Sequence, residues 1–406
     1  MQYKHLKQMK QLLTTLICLM LIAACGENKS NKTPSTDNYL HVIDLSKTEF
    51  ADIKLSELFT NVTPIVLETT DESLMGSITK VVITPEYIIV LDHMIAKALF
   101  LFTKDGTFLR KFGRIGNGPG EYANVPDFCY DETTGTIYML DSRLSRVNLY
   151  NIHTGEFLKS IKLKNSGLSR CIYYQAGELY TDLSYFTTES EKYLLNRRNQ
   201  STGEIEEAWF DVEKYANNAD YTNRNPFRFG NGNSFKFHTF FMNGIMQVEK
   251  GKITPFLAFT PEYTLEKKNV QSLDLSNGGR DINEKLPKTN KVFDISNYFE
   301  HKDMIFFDFC LGSEMRALIY NQKTKDFKAG NLFNDLMYKE NSPNTLHQFV
   351  TYGDNGMYAK LGYEMNVLKI FLEKDFISES FKNTAIDLLN LEKDANPVLL
   401  YYEFKD

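Results

Sequence analysis

A short turn sequence that returns every 48 or 49 residues constrains the fold of this chain more than any other feature. Its glycines are Gly106, Gly155, Gly203 and Gly251, and in each copy a polar and then an apolar residue follow the glycine. A weaker copy occupies residues 324–327. Because glycine adopts positive φ without strain, each copy is typical of a tight turn between two antiparallel strands. Such a period indicates the blades of a β-propeller, with four strands in each.

Short apolar runs, bounded by turn residues, have the length and pattern of strands. They include residues 80–83, 87–91, 98–102, 136–140 and 146–150. No long helical pattern separates them, which excludes a parallel α/β sheet. We therefore predict an all-β fold, a six-bladed β-propeller. Its predicted blades span residues 76–113, 124–163, 168–212, 234–260, 301–333 and 345–406.

The two ends of the folded region each contain an isolated strand pattern, at residues 62–67 and 398–402. An open ring would leave sheet edges exposed, so we expect the two ends to share one blade and close the ring. Helical spacing over residues 371–393 predicts a helical insertion in the last blade. Residues 394–397, Asp-Ala-Asn-Pro, end that pattern.

The N-terminus has the features of a targeting segment. Three lysines precede an apolar run at residues 12–24, which is too short to span a bilayer and is typical of a signal peptide. Small residues followed by Cys25 resemble the lipobox of bacterial lipoproteins, which implies cleavage before Cys25 and its acylation. Gly26 after that cysteine resembles an outer-membrane sorting signal. The alternative is an ordinary signal peptide with an incidental cysteine.

These patterns divide the chain into three segments and place it in the bacterial cell envelope. The predicted domains are a lipoprotein signal peptide at 1–24, a polar flexible tether at 25–38 and the propeller at 39–406. The membrane is then a partner through the lipid anchor. Without residues 1–24 the chain has 43 basic against 52 acidic residues, a net charge of −9. This excess of acidic residues leaves no basic stripe in the sequence, which argues against a nucleic-acid partner.

The sequence contains no recognisable catalytic or metal motif. HExxH, GxSxG, the P-loop and the EF-hand loop are all absent, and the histidines have no ligand spacing. Cys129, Cys171 and Cys310 remain after the leader and Cys25, without CxxC spacing, and are expected to be buried, inert thiols. We therefore predict no catalytic residue, no metal and no cofactor. Propeller channels can nevertheless gather distant residues, as in calcium-dependent lactonases.

A glycine-rich stretch at residues 113–122, followed by Pro126, is similar to the junction between NHL-type repeats. Residues 137–142 resemble the rest of that repeat. With residues 64–68 and 396–399, the chain resembles the bacterial six-bladed β-propeller lipoproteins, a mostly uncharacterised group. The resemblance implies the fold and an envelope location, and it implies no activity. The signature residues are Gly113, Gly116, Gly118, Pro119, Gly120 and Glu121.

This glycine-rich stretch does not fit a dinucleotide-binding loop. Glu121 occupies the third glycine position of that motif and would repel a phosphate, and Pro126 prevents a following helix. The favoured interpretation is a tight crossover between blades one and two. A loop that contacts a ligand is the alternative.

One long loop, residues 215–234, combines asparagines, arginines and aromatic rings. Aromatic faces with amide and guanidinium donors suit sugar rings or peptides, and long loops on rigid scaffolds often carry function. The alternative is a solvated insertion whose rings fold back on the propeller. The candidate binding residues are Tyr215, Tyr221, Arg224, Phe227, Arg228 and Phe229.

Two function classes follow from the sequence. The favoured one is an envelope-anchored, non-catalytic binding or scaffold module for a glycan, peptide or protein partner. The alternative is a metal-dependent hydrolase or lyase with its site in the central propeller channel. Three or four inward-pointing Asp, Asn, His or Glu side chains that converge on one point would favour the second class.

Overall fold

The fold is that of a computed structural model. The structure describes residues 38–405 apart from 165–168, 184–192, 212–224, 230–233, 240–241, 266–268, 270–283, 341, 343–348, 354, 362–363 and 393. Among the described residues, no helix is both long and apolar enough to cross a membrane.

Three strands come before the first blade, and blades one to three then follow in chain order. The early strands are β1 His41–Ile43, β2 Ile53–Lys54 and β3 Phe59–Val66. Blade one is β4 Lys80–Ile83, β5 Tyr87–Asp92, β6 Ala98–Thr103 and β7 Phe108–Phe112. A small parallel pair follows, β8 Arg114–Ile115 and β9 Glu121–Tyr122. Blade two is β10 Asp127–Asp131, β11 Thr136–Asp141, β12 Arg146–Asn151 and β13 Phe157–Lys162. Blade three is β14 Ile172–Gln175, β15 Glu178–Asp182, β16 Tyr193–Arg198 and β17 Ile205–Asp211.

The remaining strands form blades four to six. Blade four is β18 Phe227–Phe229, β19 Ser234–Phe237, β20 Gly244–Glu249 and β21 Lys252–Phe259, with β1 as a fifth strand. Blade five is β22 Val292–His301, β23 Met304–Leu311, β24 Glu314–Asn321 and β25 Phe327–Gly330. Strand β26, Leu332–Phe333, pairs with β2. Blade six is β27 Phe349–Gly353, β28 Gly356–Leu361, β29 Val398–Phe404 and β3.

These six sheets confirm the predicted all-β, six-bladed propeller. In each blade the first strand is innermost, and the inner strands of neighbouring blades contact one another, as β4 does β10 and β27. Because the strands alternate in direction, the inner strands all begin at one face of the ring, which we call the entry face. They end at the opposite face, the exit face, where the turns between third and fourth strands also lie.

The repeated turn glycines have the conformation that the sequence predicts. Gly106, Gly155, Gly203 and Gly251 have φ between +72° and +94° and connect the third and fourth strands of blades one to four. In blade five the same place in the turn is held by Lys325, whose φ is +66°. An L side chain is strained there, which explains why the fifth copy is the weakest in the sequence.

The ring closes as predicted, through strands from both ends of the folded region. Strand β29 lies between β28 and β3, so the outer strand of blade six comes from the N-terminal part of the chain. Two blade boundaries differ from the prediction. Blade four begins with β18, inside the segment interpreted as a loop. Blade five begins at Val292 rather than at residue 301, because β22 contains two register shifts that break its sequence pattern.

The N-terminal segment before β3 lies along the outer edges of two other blades, which the sequence did not reveal. Strand β1 pairs in parallel with β21 of blade four. Further on, Ala51 N–H donates to the Ala329 carbonyl at 3.0 Å and Ile53 N–H donates to that of Asn331 at 2.8 Å, both in blade five. A Cβ on Gly330 would overlap the carbonyl oxygen of Ala51, so this close approach requires glycine.

Two helices form the insertion between β28 and β29, α1 Glu364–Glu373 and α2 Lys382–Leu389. The predicted helical region, residues 371–393, covers α2 and only the end of α1. Buried Leu368, Phe381 and Leu388 attach the insertion to the core cluster shared by blades five and six. Burial of each such side chain stabilises the fold by about 1.5–3 kcal/mol relative to leaving it exposed. The insertion is therefore an integral part of blade six.

Candidate functional site

A buried carboxylate, Asp127, lies at the entry face, at the mouth formed by the starts of the inner strands. Asp127 begins the inner strand of blade two, and Lys80 begins that of blade one. The Lys80 Nζ lies 2.7 Å from Asp127 Oδ1. Asp127 Oδ2 accepts hydrogen bonds from Ile172 N–H of blade three at 2.9 Å and from Asn225 Nδ2, just before blade four, at 3.2 Å. One carboxylate therefore joins four consecutive blades. We call Lys80, Asp127 and Asn225 the Asp127 cluster.

Burial dominates the electrostatics of this cluster. The Asp127 side chain is 3% exposed and that of Lys80 16% exposed. Burial raises the pKa of the Asp127 carboxyl, while the Lys80 ammonium and the N–H donors oppose that rise. Lys80 also donates to the Phe128 carbonyl at 2.6 Å and lies 5.2 Å above the Phe128 ring centroid. Lys80 is thus the charged group of the cluster that solvent, and therefore a ligand, can reach.

A second set of aspartates fixes the segments that lead into the inner strands. Asp92, Asp141 and Asp182 each end the second strand of blades one to three. Asp92 Oδ2 accepts from Gly76 N–H at 2.8 Å, Asp141 Oδ2 from Ala123 N–H at 2.9 Å, and Asp182 Oδ1 from Cys171 N–H at 2.7 Å. Each of these carboxylates accepts hydrogen bonds from backbone N–H groups. Their role is to position the segments that lead into the inner strands.

Aromatic and thiol groups of the inner strands pack into the cores between blades; Cys129 is buried as expected, whereas Cys171 and Cys310 are half-buried. Tyr173 of blade three and Tyr352 of blade six lie on opposite inner strands, and burial and then the charge of Tyr173 raise the pKa of the Tyr352 hydroxyl. Burial also raises the pKa of Cys129 and Cys171. Both cysteines therefore remain protonated near neutral pH, and a protonated thiol is a poor nucleophile.

The structure describes only part of the predicted binding loop. Tyr215, Tyr221 and Arg224 lie outside the described residues, and of Phe229 only the backbone in β18 is described. The Phe227 ring is buried in the core and stacks on Tyr173 at 5.5 Å between centroids.

Arg228, half-buried, donates to the backbone carbonyls of Asn225 and Phe227. A buried Phe227 ring presents no face to a ligand, so its role is to anchor the segment. Asn225, in the middle of the predicted loop, is held on the entry face by its bond to Asp127.

The glycine-rich stretch is closed on its own side chains. Glu121 accepts from Arg114 Nε and from Gly118 N–H, each at 2.8 Å. These bonds, the Gly118 N–H first, hold the pKa of Glu121 below its usual value. A Cβ on Gly116 would overlap the Glu121 carboxylate, and the Gly120 carbonyl accepts from the Tyr150 hydroxyl at 2.8 Å. The stretch from Gly113 through Pro119 to Tyr122 therefore has the geometry of a crossover between blades one and two.

Sequence reasoning missed the three members of the Asp127 cluster. Lys80 and Asp127 are each the first residue of an otherwise apolar strand. A charged residue at that position is the only local feature of the sequence that points to the cluster. Asn225 lies within the loop that was singled out but was not among its candidates. No three His, Cys, Asp or Glu side chains in the described part of the chain group closely enough to hold a metal ion.

The comparisons with known proteins agree with this architecture. A family described as a domain of unknown function, DUF4934, matches residues 40–403. The chain belongs to the DUF4934 family. No curated protein matches it.

Two solved structures from Bacteroides are similar to this DUF4934 protein. One, from Bacteroides fragilis NCTC 9343 and described as an exported protein, is 18% identical, with a TM-score of 0.67, over 88% of this chain and 100% of its own. The other, a member of the DUF4221 family from Bacteroides vulgatus ATCC 8482, is 11% identical, with a TM-score of 0.48, over 86% of this chain and 97% of its own. At 18% identity the first likeness shows a shared fold and nothing further.

Proposed function

We propose that this DUF4934 protein is a lipid-anchored protein of the bacterial envelope whose propeller binds a glycan, peptide or protein at the entry face without chemical turnover. The observation that carries the proposal is the hydrogen bond from Asn225 to Asp127. It holds Asn225, in the middle of the segment 215–234 with its many aromatic, amide and guanidinium residues, on the entry face where four blades meet. Loops held by a rigid scaffold are a common location of binding sites.

The chemistry of the mouth favours binding over turnover. The carboxylate of Asp127 is satisfied by Lys80, Asn225 and two backbone N–H groups, so no lone pair is poised for proton abstraction. The thiols of Cys129 and Cys171 are kept protonated by burial. The Lys80 ammonium, with its side chain 16% exposed, is the charged group of the Asp127 cluster that solvent reaches, and the sequence of the loop 215–234 is rich in aromatic and amide residues. Such groups suit recognition of a polar ligand.

The envelope location rests on the leader-like residues 1–24 and on Cys25. The exported-protein description of the similar Bacteroides fragilis structure supports passage across the inner membrane. Changing Cys25→Ser and fractionating the cells tests the anchor. We expect the variant to move from the membrane to the soluble fraction. A variant that sediments with the membrane like the parent contradicts lipid anchoring.

The binding site is tested with the full chain, extracted in detergent and used as bait on envelope extracts and glycan arrays. We expect Asn225→Ala and Tyr221→Ala each to weaken the captured ligand by about tenfold, as for residues of a binding hot spot. Asn61→Ala is the matched control, because the Asn61 amide also donates to a carboxylate, that of Glu403 at 2.9 Å, on the outer edge of blade six. Equal loss in all three variants, or turnover of a captured substrate by the purified protein, contradicts the proposal.

A further inference from the structure

A group of side chains on the exit face, at the boundary between blades one and two, combines aromatic rings with charged groups. It contains Glu86, Tyr87, Arg110, Tyr130 and His153, which we call the Tyr87 cleft. The hydroxyl of Tyr87 lies 3.4 Å from His153 Nδ1, and the two ring centroids are 5.9 Å apart. His153 Nδ1 lies 3.9 Å from the Glu86 carboxylate. Tyr87 and Tyr130 both pack, half-buried, against the core between the two blades.

Two turn glycines make room for these side chains. A Cβ on Gly135 would lie 3.1 Å from His153 Nε2, and one on Gly155 would lie 3.0 Å from Arg110 Cδ. Both glycines have positive φ, in turns of blade two that border the cleft. The side chains of His153 and Arg110 therefore lie close to the backbone of these two turns, in space that a larger residue would occupy.

The rings and charges of the cleft differ in their access to solvent. The side chains of His153 and Glu86 are 56% and 65% exposed, while the two tyrosine rings are half-buried. After burial, the charge of Glu86 is the next cause that raises the pKa of Tyr87, and the charge of Arg110 lowers it. Burial, and then the charges of Glu132, Asp131 and Glu86, raise the pKa of the Tyr130 hydroxyl. The cleft thus presents two partly exposed tyrosine rings with hydrogen-bond donors and acceptors beside them.

This combination selects among ligand classes. A phosphate or other anion would meet the carboxylates of Glu86 and Glu132, and a cation would meet the guanidinium of Arg110. A neutral ring that carries hydroxyl groups meets no such opposition. Its C–H face packs on an aromatic ring, and its hydroxyl groups donate to Glu86 and accept from Arg110.

We infer that the Tyr87 cleft is a carbohydrate-binding site, separate from the entry face. The ligand is a neutral saccharide, with one sugar ring packed on Tyr87 and its hydroxyl groups bonded to Glu86, His153 and Arg110. The inference does not depend on the function proposed for the entry face. Each face has its own variants, so the two can fail separately.

The test is binding of the full chain to an array of defined neutral oligosaccharides, followed by calorimetric titration of the best of them. We expect Tyr87→Ala to weaken binding at least about tenfold, because the stacking face is lost. Tyr87→Phe retains the ring and should stay within about threefold of the parent. His153→Ala should weaken binding about threefold to tenfold, and because this side chain is exposed it keeps the test valid if Tyr87→Ala does not fold.

Tyr174→Ala is the matched control, since Tyr174 is another half-buried tyrosine on the exit face, in blade three, stacked on Tyr138 at 4.6 Å. We expect it and Asn225→Ala to bind the saccharide like the parent. Absence of any bound neutral saccharide overturns the inference. So does binding that His153→Ala and Tyr87→Ala leave unchanged, or that Tyr174→Ala weakens as much.

Discussion

The hydroxyl oxygen of Tyr180 in blade three accepts a hydrogen bond from the backbone N–H of Gly251 in blade four, at 3.0 Å. Gly251 is the turn glycine of its blade. The same joint recurs between earlier blades. Tyr138 donates to Gln200 in the corresponding turn of blade three at 3.4 Å, and Tyr87 reaches His153 in that of blade two. A tyrosine in the second strand of each of blades one to three therefore contacts the outer turn of the next blade.

We predict that Tyr180→Phe lowers the free energy of unfolding by about 1 kcal/mol. The substitution keeps the ring, which lies edge-on to Phe235 at 4.9 Å between centroids, and leaves the Gly251 N–H without its acceptor. Urea denaturation measures the change. Tyr87→Phe is the control, because its 3.4 Å contact is exposed and its loss should cost less than about 0.5 kcal/mol. Equal losses would mean that the Tyr180 bond has no special role.

We predict that Asp127→Asn destabilises the fold by about 2–4 kcal/mol. The amide leaves the Lys80 ammonium, only 16% exposed, without its counter-charge and removes an acceptor shared by blades three and four. Lys80→Met added to Asp127→Asn should recover about 1–2 kcal/mol, because it removes the unpaired charge. Urea midpoints of the four proteins of the double-mutant cycle test this. Strict additivity contradicts a direct coupling of the two groups.

Substitutions at two turn glycines distinguish the cost of backbone strain from the cost of steric overlap. Gly177 has φ +86°, with nothing within 4 Å of an added Cβ, so Gly177→Ala should cost about 1 kcal/mol from the positive φ alone. Gly203 has φ +72°, and a Cβ there would overlap the carbonyl oxygen of Lys162, in β13 of the preceding blade. We predict that Gly203→Ala costs at least about 2 kcal/mol more than Gly177→Ala. Thermal melting of the two variants measures this difference, and similar melting temperatures would contradict the prediction.

The part of the fold that could be predicted is the part whose sequence signal is local. A positive φ favours glycine, so the turn glycines located blades one to three within four residues at each end. Where Lys325 takes the glycine position the signal weakens, and the register shifts of β22 conceal its alternation. Strands β1 and β2 have only two or three residues, and each pairs in parallel with a strand far away in the sequence. No local sequence pattern therefore predicts them.

The candidate site could be predicted still less, for a related reason. Asp127 is 47 residues from Lys80 and 98 residues from Asn225. Only the ring brings the starts of their strands together, so no linear motif contains them. The loop of residues 215–234 stood out through its composition alone. Composition can mark where ligand-binding groups are dense, but it does not tell a buried ring such as that of Phe227 from an exposed one.

The last prediction concerns pH and the buried imidazole of His41, which attaches β1 to blades four and five. Its ring lies edge-on to Phe256 and Tyr320, at 5.0 and 5.2 Å between centroids, and its Nδ1 lies 3.1 Å from both the Tyr320 hydroxyl and the Lys325 Nζ. Burial, and next the charge of Lys325, lower the pKa of His41 to about 4; the charge of Glu300 raises it and that of Lys236 lowers it.

Because the unfolded chain binds this proton near pH 6.5 and the folded chain near pH 4, stability from His41 is complete above pH 6.5 and is lost as the pH falls toward 4. We predict that His41→Gln, compared with the parent by urea midpoints at pH 7, 5.5 and 4.5, loses less stability on acidification, by roughly 1–2 kcal/mol. Lys325→Met should also reduce the loss of stability on acidification, but by less, because removing the ammonium allows the pKa of His41 in the folded chain to rise. Parallel pH profiles for parent and His41→Gln would show that this imidazole is not the group that titrates.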